Sequence, residues 1–259
     1  THDNSIGYYN SIPIMWAAIF SMILGALPFV WYIKLTVDFE SAIYDKQVRA
    51  VLSVMAISGV LLTAWVMSYT GMQFKWAFSH SVFNAVSIMT TTGLVTADYT
   101  QWGGFATLLL FFLYFIGGST GSSTGSIKLF RWQIFFASVR QQMLRMMSPH
   151  RVSPVKFNSK TVPDEVKDAV ANFIVLFFCS WIIISAILAL TGLDLVTALT
   201  AAISSLANVG PGLGPHIGPS GTFAPLNDAA KWICAFTMLL GRLEILAVLM
   251  IFTRAFWRD

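Results

Sequence analysis

Two short strips of this chain carry the chemistry of cation coordination. Thr91-Thr92-Gly93-Leu94 and Asn208-Val209-Gly210-Pro211 each follow a short apolar stretch, and each holds a glycine at its third position. Glycine adopts φ > 0 without steric cost, so it lets successive carbonyls point along one axis. Carbonyls without helical partners are tolerated at membrane depth only where they face protein or a water-filled cavity, and in a wet cavity they are cation ligands. If the preceding stretch is helical, its partially negative C-terminus favours a cation at the same point. A single such glycine would equally read as an ordinary helix C-cap. Two of them at matching places in the chain favour coordination.

A third segment supplies a different function. Gly117, Gly118, Ser119, Thr120, Gly121, Ser122, Ser123, Thr124, Gly125 and Ser126 form an unbroken run of Gly, Ser and Thr, with Lys128 just beyond it. The apolar residues before it, 104–116, reach only about 20 Å as a helix, so the run must lie near mid-membrane depth. Broken backbone there lines a cavity or packs on protein. A phosphate-binding loop is excluded, because Gly125-Ser126-Ile127-Lys128 lacks the GK[ST] order and follows a helix-like stretch instead of a strand. The plainer reading is a kink packed by small side chains. Arg242 is the remaining ionisable residue of interest. It stands midway along an apolar run, where an arginine costs roughly 2.5 to 3.5 kcal/mol on insertion scales. Glu244, two residues on, points about 200° around a helix and makes a poor partner. Arg242 is therefore expected to face the pore and donate to the Gly/Ser/Thr segment, holding a gate shut. A packing salt bridge elsewhere in the bundle is the alternative.

The elements that position these residues follow from hydropathy. The chain has 259 residues, of which 56% are hydrophobic and 11% charged, and its mean hydropathy is +0.69, which excludes an ordinary soluble domain. Apolar runs at 12–33, 51–69, 105–139 with an interruption, 169–190 and 229–256 are read as five membrane spans, each near the roughly 20 residues that a bilayer core requires. The stretches 76–89 and 195–207 are too short to cross and read as re-entrant helices. Continuous runs exclude the alternating pattern of a β-barrel. The expectation is an all-α polytopic membrane protein.

Charge sets the orientation. Thirteen of the sixteen Lys and Arg residues lie in 34–50, 128–167 and 254–258, which places those segments in the cytoplasm. Lys75 and Lys231 lie on the other side with both strips. Basic segments also serve nucleic-acid binding, but here they flank spans, so no nucleic-acid partner is expected. An internal repeat is visible: setting Gly93 on Gly210 places Ser87 on Ser204 and Thr91 on Asn208. FLYFIGG then matches FTMLLGR, with Gly117 on Gly241, and Gly25 fits the same template. The chain thus divides into 1–45, the closing helix of one repeat with its loop; 46–150, a full repeat; and 151–259, another. About four such units enclose a pore, so the chain is expected to be cut from something longer, and no signal peptide precedes its first apolar run.

The arrangement follows the logic of a potassium-channel filter, in which carbonyl rings replace the hydration shell of the ion. In combination, SIMTTTGLVT, FIGGSTGSSTGSIK, SSLANVGPGLG and LLGRLEILAVLMIFTR resemble the Trk/Ktr/HKT superfamily of potassium transporters, most closely its bacterial Trk membrane subunits, over essentially the whole chain. The resemblance implies four repeats around one pore and potassium as the transported ion, with no bound organic cofactor. The filter positions that it carries over are Thr91, Thr92, Gly93, Asn208, Val209 and Gly210. It also implies an intramembrane gate loop, a multi-pass place in the bacterial inner membrane, and a homodimer. The homodimer would dock on cytoplasmic nucleotide-binding regulatory subunits. Leu94 and Pro211 stand where a potassium channel has an aromatic, which predicts looser selectivity. Passive flow and symport with protons or sodium remain open.

The alternative function is a secondary transporter of another fold, whose discontinuous helices belong to inverted repeats. Here the repeats run parallel. An intramembrane enzyme would need a convergent catalytic set, and Arg242, Glu244 and Lys128 do not make one. His80, His216, His2 and His150 are read as interfacial or solvated, and Cys179 and Cys234 as small buried hydrophobes.

Overall fold

The computed structural model describes residues 5–148, 154–158, 160–214, 216–243, 245–251 and 256–257. Arg151, Glu244, Arg254, Arg258, His2 and His150 lie outside the described residues. The described chain is helical apart from one small hairpin, as its composition requires.

Helix α1 (Ile12–Ala26) stops at Leu27, whose extended backbone (ψ 155°) precedes Pro28. Proline lacks an N–H and pushes its predecessor out of helical conformation. The chain then bends by 90° into α2 (Phe29–Val37), so the expected span over 12–33 is a broken one. After α3 (Phe39–Ile43), the Asp45 carboxylate accepts from the amides of Gln47 and Val48 and starts α4 (Lys46–Thr70), which Gly71 ends in left-handed conformation. Then come the short helix α5 (Phe74–Met89), α6 (Gly104–Leu113), an irregular stretch from 114 to 128, and α7 (Leu129–Met147).

The second unit repeats the order. A two-residue hairpin, β1 (Lys156–Phe157) and β2 (Lys160–Thr161), leads to α8 (Asp164–Leu190), the short α9 (Leu195–Ala207), α10 (Asp228–Arg242) and α11 (Ile245–Ile251). Among the described residues the hairpin is the one pair of strands, and it lies in the polar segment where no hydrophobic period exists to impose a helix. Among the described residues, α4 and α8 alone are single helices long and apolar enough to cross a membrane. The expected fifth span, 229–256, breaks after Arg242, so Arg242 occupies the last turn of α10 instead of mid-helix. A cation is favourable there, because the helix C-terminus carries partial negative charge.

Each short helix is held at the centre of its unit. α5 packs on α4, α6 and α1, and α9 packs on α8 and α10. Apolar burial gives little drive between helices in lipid, so close packing of small residues matters more. On α9, Ala198, Ala201, Ala202 and Ala207 are fully buried. Between α4 and α5, a Cβ on Gly59 would come within 3.0 Å of Val82 Cγ2. The outward faces of α4 and α8 expose Ile57, Val60, Val175, Ile182 and Ile183, apolar side chains suited to acyl chains. This is a polytopic helical membrane fold. Cys234 is buried as expected, whereas Cys179 is exposed on the outer face of α8, since a 3.6-residue period leaves part of any lipid-facing helix outside the core.

Candidate functional site

The two strips leave their helices in the same way. Thr91 (φ 53°) and Gly93 (φ 73°) in the first, and Asn208 (φ 57°) and Gly210 (φ 116°) in the second, share positive φ at matched positions. The hydrogen bonds match as well. Thr91 N donates to Ile88 O at 3.0 Å and Asn208 N to Ser205 O at 3.2 Å, while Thr92 N donates to Ser87 O at 2.9 Å and Val209 N to Ser204 O at 3.0 Å. The register proposed from sequence is therefore the register of the backbone.

Two serines fasten the strips. Ser87 Oγ donates to Leu94 O at 2.6 Å; Ser204 Oγ donates to Gly210 O at 2.8 Å and accepts from Gly210 N at 3.0 Å. With the strips pinned from behind, the carbonyls of Thr91, Thr92, Gly93, Asn208 and Val209 accept no hydrogen bond among the described residues. Unpaired carbonyls are rare inside proteins. These five lie in two strips in direct contact: a Cβ on Gly93 would fall 2.0 Å from Val209 O.

A second layer braces the strips, and sequence reading missed it. His80 is buried, with Nδ1 2.9 Å from Thr96 Oγ1, and Asn84 Nδ2 donates to the same hydroxyl at 3.1 Å. The expectation of an interfacial or solvated His80 is thus corrected: α5 lies inside the bundle, and His80 is on its inner face. Behind the second strip, Tyr114 Oη donates to Pro211 O at 2.7 Å and lies 3.3 Å from Tyr99 Oη. Asn208 Nδ2 reaches Met238 O on α10 at 3.1 Å. The matched placement of Ser87 and Ser204 in the repeat was the available signal for the serines. The tyrosines gave none, because aromatics are abundant throughout the chain.

Residues 117–126 lie beneath this assembly and touch everything around it. The end of α1, broken at Pro28, leaves carbonyls unpaired, and the segment pairs them: Ser119 N donates to Ala26 O at 3.1 Å, and Ser123 Oγ to Gly25 O at 3.1 Å. Gly125 N donates to Thr91 Oγ1 at 2.8 Å. A Cβ on Gly125 would meet Ala207 O at 2.2 Å, which explains a glycine there. Gly117 N donates to Ile127 O at 2.8 Å and Leu129 N to Gly118 O at 3.2 Å, closing the base of the loop. Ser126 Oγ is anchored on Tyr114 O at 2.6 Å. Ser122 Oγ and Thr124 Oγ1 are 2.9 Å apart. Gly121 O accepts from Phe29 N at 3.2 Å, and Thr120 Oγ1 from Gln47 Nε2 at 3.0 Å. Thr120 and Gly121 therefore face away from the strips, toward α2 and α4.

Both cations expected at the loop are on it. Lys128 Nζ donates to the Thr124 carbonyl, and lies 3.0 Å from Thr124 Oγ1. Arg242 Nη1 donates to Ser123 O at 2.7 Å. Ser123 borders two cavities. One, about 420 Å³, is bounded by Thr90, Thr92 and Leu94 of the first strip and by Ser21 and Gly25 of α1. The other, about 260 Å³, is bounded by Lys128, Arg131, Gly241 and Arg242. The loop stands between them. The basic loops also converge: Lys34 and Lys46 share a cleft of about 780 Å³ with Asn158 and Thr161.

The model of the TrkH family of cation transport proteins matches residues 1–258. The chain is similar to the Trk system potassium uptake protein TrkI of Halomonas elongata, at 40% identity over 99% of this chain and 52% of the relative. It is also similar to the TrkG potassium uptake protein of Escherichia coli, at 31% identity over 100% of this chain and 53% of that protein. The crystal structure of the potassium transporter TrkH from Vibrio parahaemolyticus superposes with a TM-score of 0.91 at 29% identity, covering 99% of this chain and 55% of that one. The chain spans about half the length of the curated relatives it matches. Its repeated helix, short helix, strip and helix units, together with a family match over nearly every residue, place it: the chain belongs to the TrkH family of cation transport proteins.

Proposed function

We propose that the two strips form half of a potassium filter and that residues 117–126, with Lys128 and Arg242, form the gate beneath it. The observation that carries this reading is the set of five carbonyls, at matched positions of two repeats, that are pinned from behind and unpaired in front. Such oxygens replace the hydration shell of a dehydrated cation. One further repeat and the remainder of the one that 1–45 closes, both from outside this sequence, would complete the ring, with 46–150 and 151–259 as the other two of four units. Four inner helices would then surround the loop, of which α1, α6 and α10 are those present.

Function as potassium uptake across the bacterial inner membrane is supported by relatives whose names state potassium uptake. The ion is the substrate, and no organic cofactor is needed for transport through such a filter. The basic stretch 128–167, with eight Lys and Arg residues against two carboxylates, suits a cytoplasmic regulatory subunit of nucleotide-binding type, and the protein is proposed to work as a homodimer. The test is rubidium uptake in liposomes with bi-ionic potassium and sodium flux. Selectivity that changes on substitution of Gly93 or Gly210 supports the filter, and unchanged selectivity in both variants removes it. Shortening residues 119–124 should raise flux while leaving selectivity nearly intact.

A further inference from the structure

Two clefts lie along α7 and meet at Phe136, forming one path. The first, about 590 Å³, is walled by apolar side chains of α4, α6, α7 and α8, among them Phe111, Trp132, Phe136 and Trp181, with Gln133 as its polar group. Its size falls within the ~300–1,000 Å³ of small-ligand pockets. The second, about 410 Å³, is lined by Arg140 and Gln141 of α7 and by Val155 and Lys156 beside the hairpin. Phe136 borders both. Trp132, Phe136 and Arg140 follow at four-residue steps and share one helix face.

Depth gives the path its polarity. α7 begins at Leu129, where the loop ends near mid-membrane, and Arg140 lies up to about 16 Å further along the helix. Half of a ~30 Å hydrocarbon core is a similar distance. The apolar cleft is therefore at acyl-chain depth and the basic cleft at headgroup depth. Arg140 and Lys156 are exposed and have no carboxylate partner among the described residues.

We infer that this groove holds an anionic phospholipid of the cytoplasmic leaflet, with an acyl chain against Trp132 and Trp181 and the phosphate between Arg140 and Lys156. An apolar cleft open to a bilayer fills with hydrocarbon, and the basic end selects the anionic headgroup. Both clefts are bounded by elements of the two repeats present in this chain, so the missing repeats are not needed to build the site. The position also has a mechanical consequence. Phe115 and Ile116 enter the loop, Leu129 leaves it, and all three are in the wall of the groove. Trp132 Nε1 donates to Phe115 O at 3.0 Å. A bound acyl chain thus packs against the stems of the loop.

The experiment reads fluorescence instead of flux, so it succeeds or fails independently of the potassium reading. The protein is reconstituted in phosphatidylcholine vesicles containing, at equal mole fraction, either brominated phosphatidylcholine or brominated phosphatidylglycerol. Trp132 and Trp181 line the groove and report its occupant, and the quenching lost in Trp132→Phe with Trp181→Phe is their share. Stronger quenching by the phosphatidylglycerol is expected, with a binding preference of about five-fold for each basic residue. Arg140→Gln with Lys156→Gln, two exposed positions outside the proposed filter and gate, should abolish the preference. Equal quenching by both lipids in the unmodified protein would mean annular contact only and overturn the inference. A preference that survives the double substitution, or no groove quenching by either lipid because a second copy of the chain fills it, would overturn it as well.

Discussion

Arg242 Nη1 lies 2.7 Å from the carbonyl oxygen of Ser123, joining the last turn of α10 to the middle of the loop. A hydrogen bond from a charged donor contributes about 1.5 to 3 kcal/mol. If the gate opens by releasing this contact, Arg242→Ala should raise rubidium uptake roughly ten-fold or more at equal protein in the membrane. Arg242→Lys, which keeps the charge but loses the planar fork, should fall between. Reduced folding yield with unaltered flux per molecule would show the contact to be structural only.

The two glycines of the proposed filter should not respond alike to alanine. At Gly93 (φ 73°) a Cβ would lie 2.0 Å from Val209 O, so Gly93→Ala must push the strips apart. At Gly210 (φ 116°) the nearest atom is 3.8 Å away, and the cost is backbone strain of about 1 to 3 kcal/mol. Bi-ionic flux should show the larger loss of potassium preference in Gly93→Ala. The reverse order would contradict this packing.

Ser204 makes two hydrogen bonds to Gly210, whereas Ser87 makes one to Leu94. Each is worth roughly 1 kcal/mol. Ser204→Ala should therefore broaden selectivity more than Ser87→Ala, while Ser204→Thr, which keeps the hydroxyl, should retain part of it. Sodium-to-potassium permeability ratios in the three variants provide the check.

Gln47 connects the first turn of α4 to the loop through Thr120 Oγ1 at 3.0 Å. Gln47→Ala and Thr120→Val should change uptake in the same direction, and the double variant should do no more than either alone. Additive effects in that double-mutant cycle would show that the bond does not transmit to the loop.

Outside the spans, Asp194 caps α9 by accepting from Thr197 N at 3.0 Å. The Thr197 hydroxyl and then its amide, both beside the carboxylate, hold its pKa below the ordinary carboxylate value. A lowered folded-state pKa stabilises the protein above the unfolded value, about 3.9, and the contribution is lost as pH falls through the folded value. Thermal unfolding in detergent should show Asp194→Ala less stable by about 1 kcal/mol at neutral pH. The difference should shrink in acid below pH 4.

The sequence by itself determined the class and the repeat. Continuous apolar runs admit helices and no barrel, and basic residues at one set of loops mark one side. The spacing that sets Gly93 on Gly210 is carried by short-range backbone conformation, so it survived into matched φ angles and hydrogen bonds. The contact between Arg242 and the Gly/Ser/Thr segment was also legible, because a charge within an apolar run needs a partner and the repeat placed both at one depth. Tertiary structure alone decided the rest. The bend at Pro28 exposes the carbonyls of Gly25 and Ala26, and only the folded loop shows that Ser119 and Ser123 satisfy them. His80, Tyr99 and Tyr114 became braces because α5 and the segments that flank α6 turn those side chains inward, a choice that hydropathy does not encode. The break after Arg242 is likewise not set by hydropathy, because composition fixes that a segment enters the membrane and packing fixes where its helix ends.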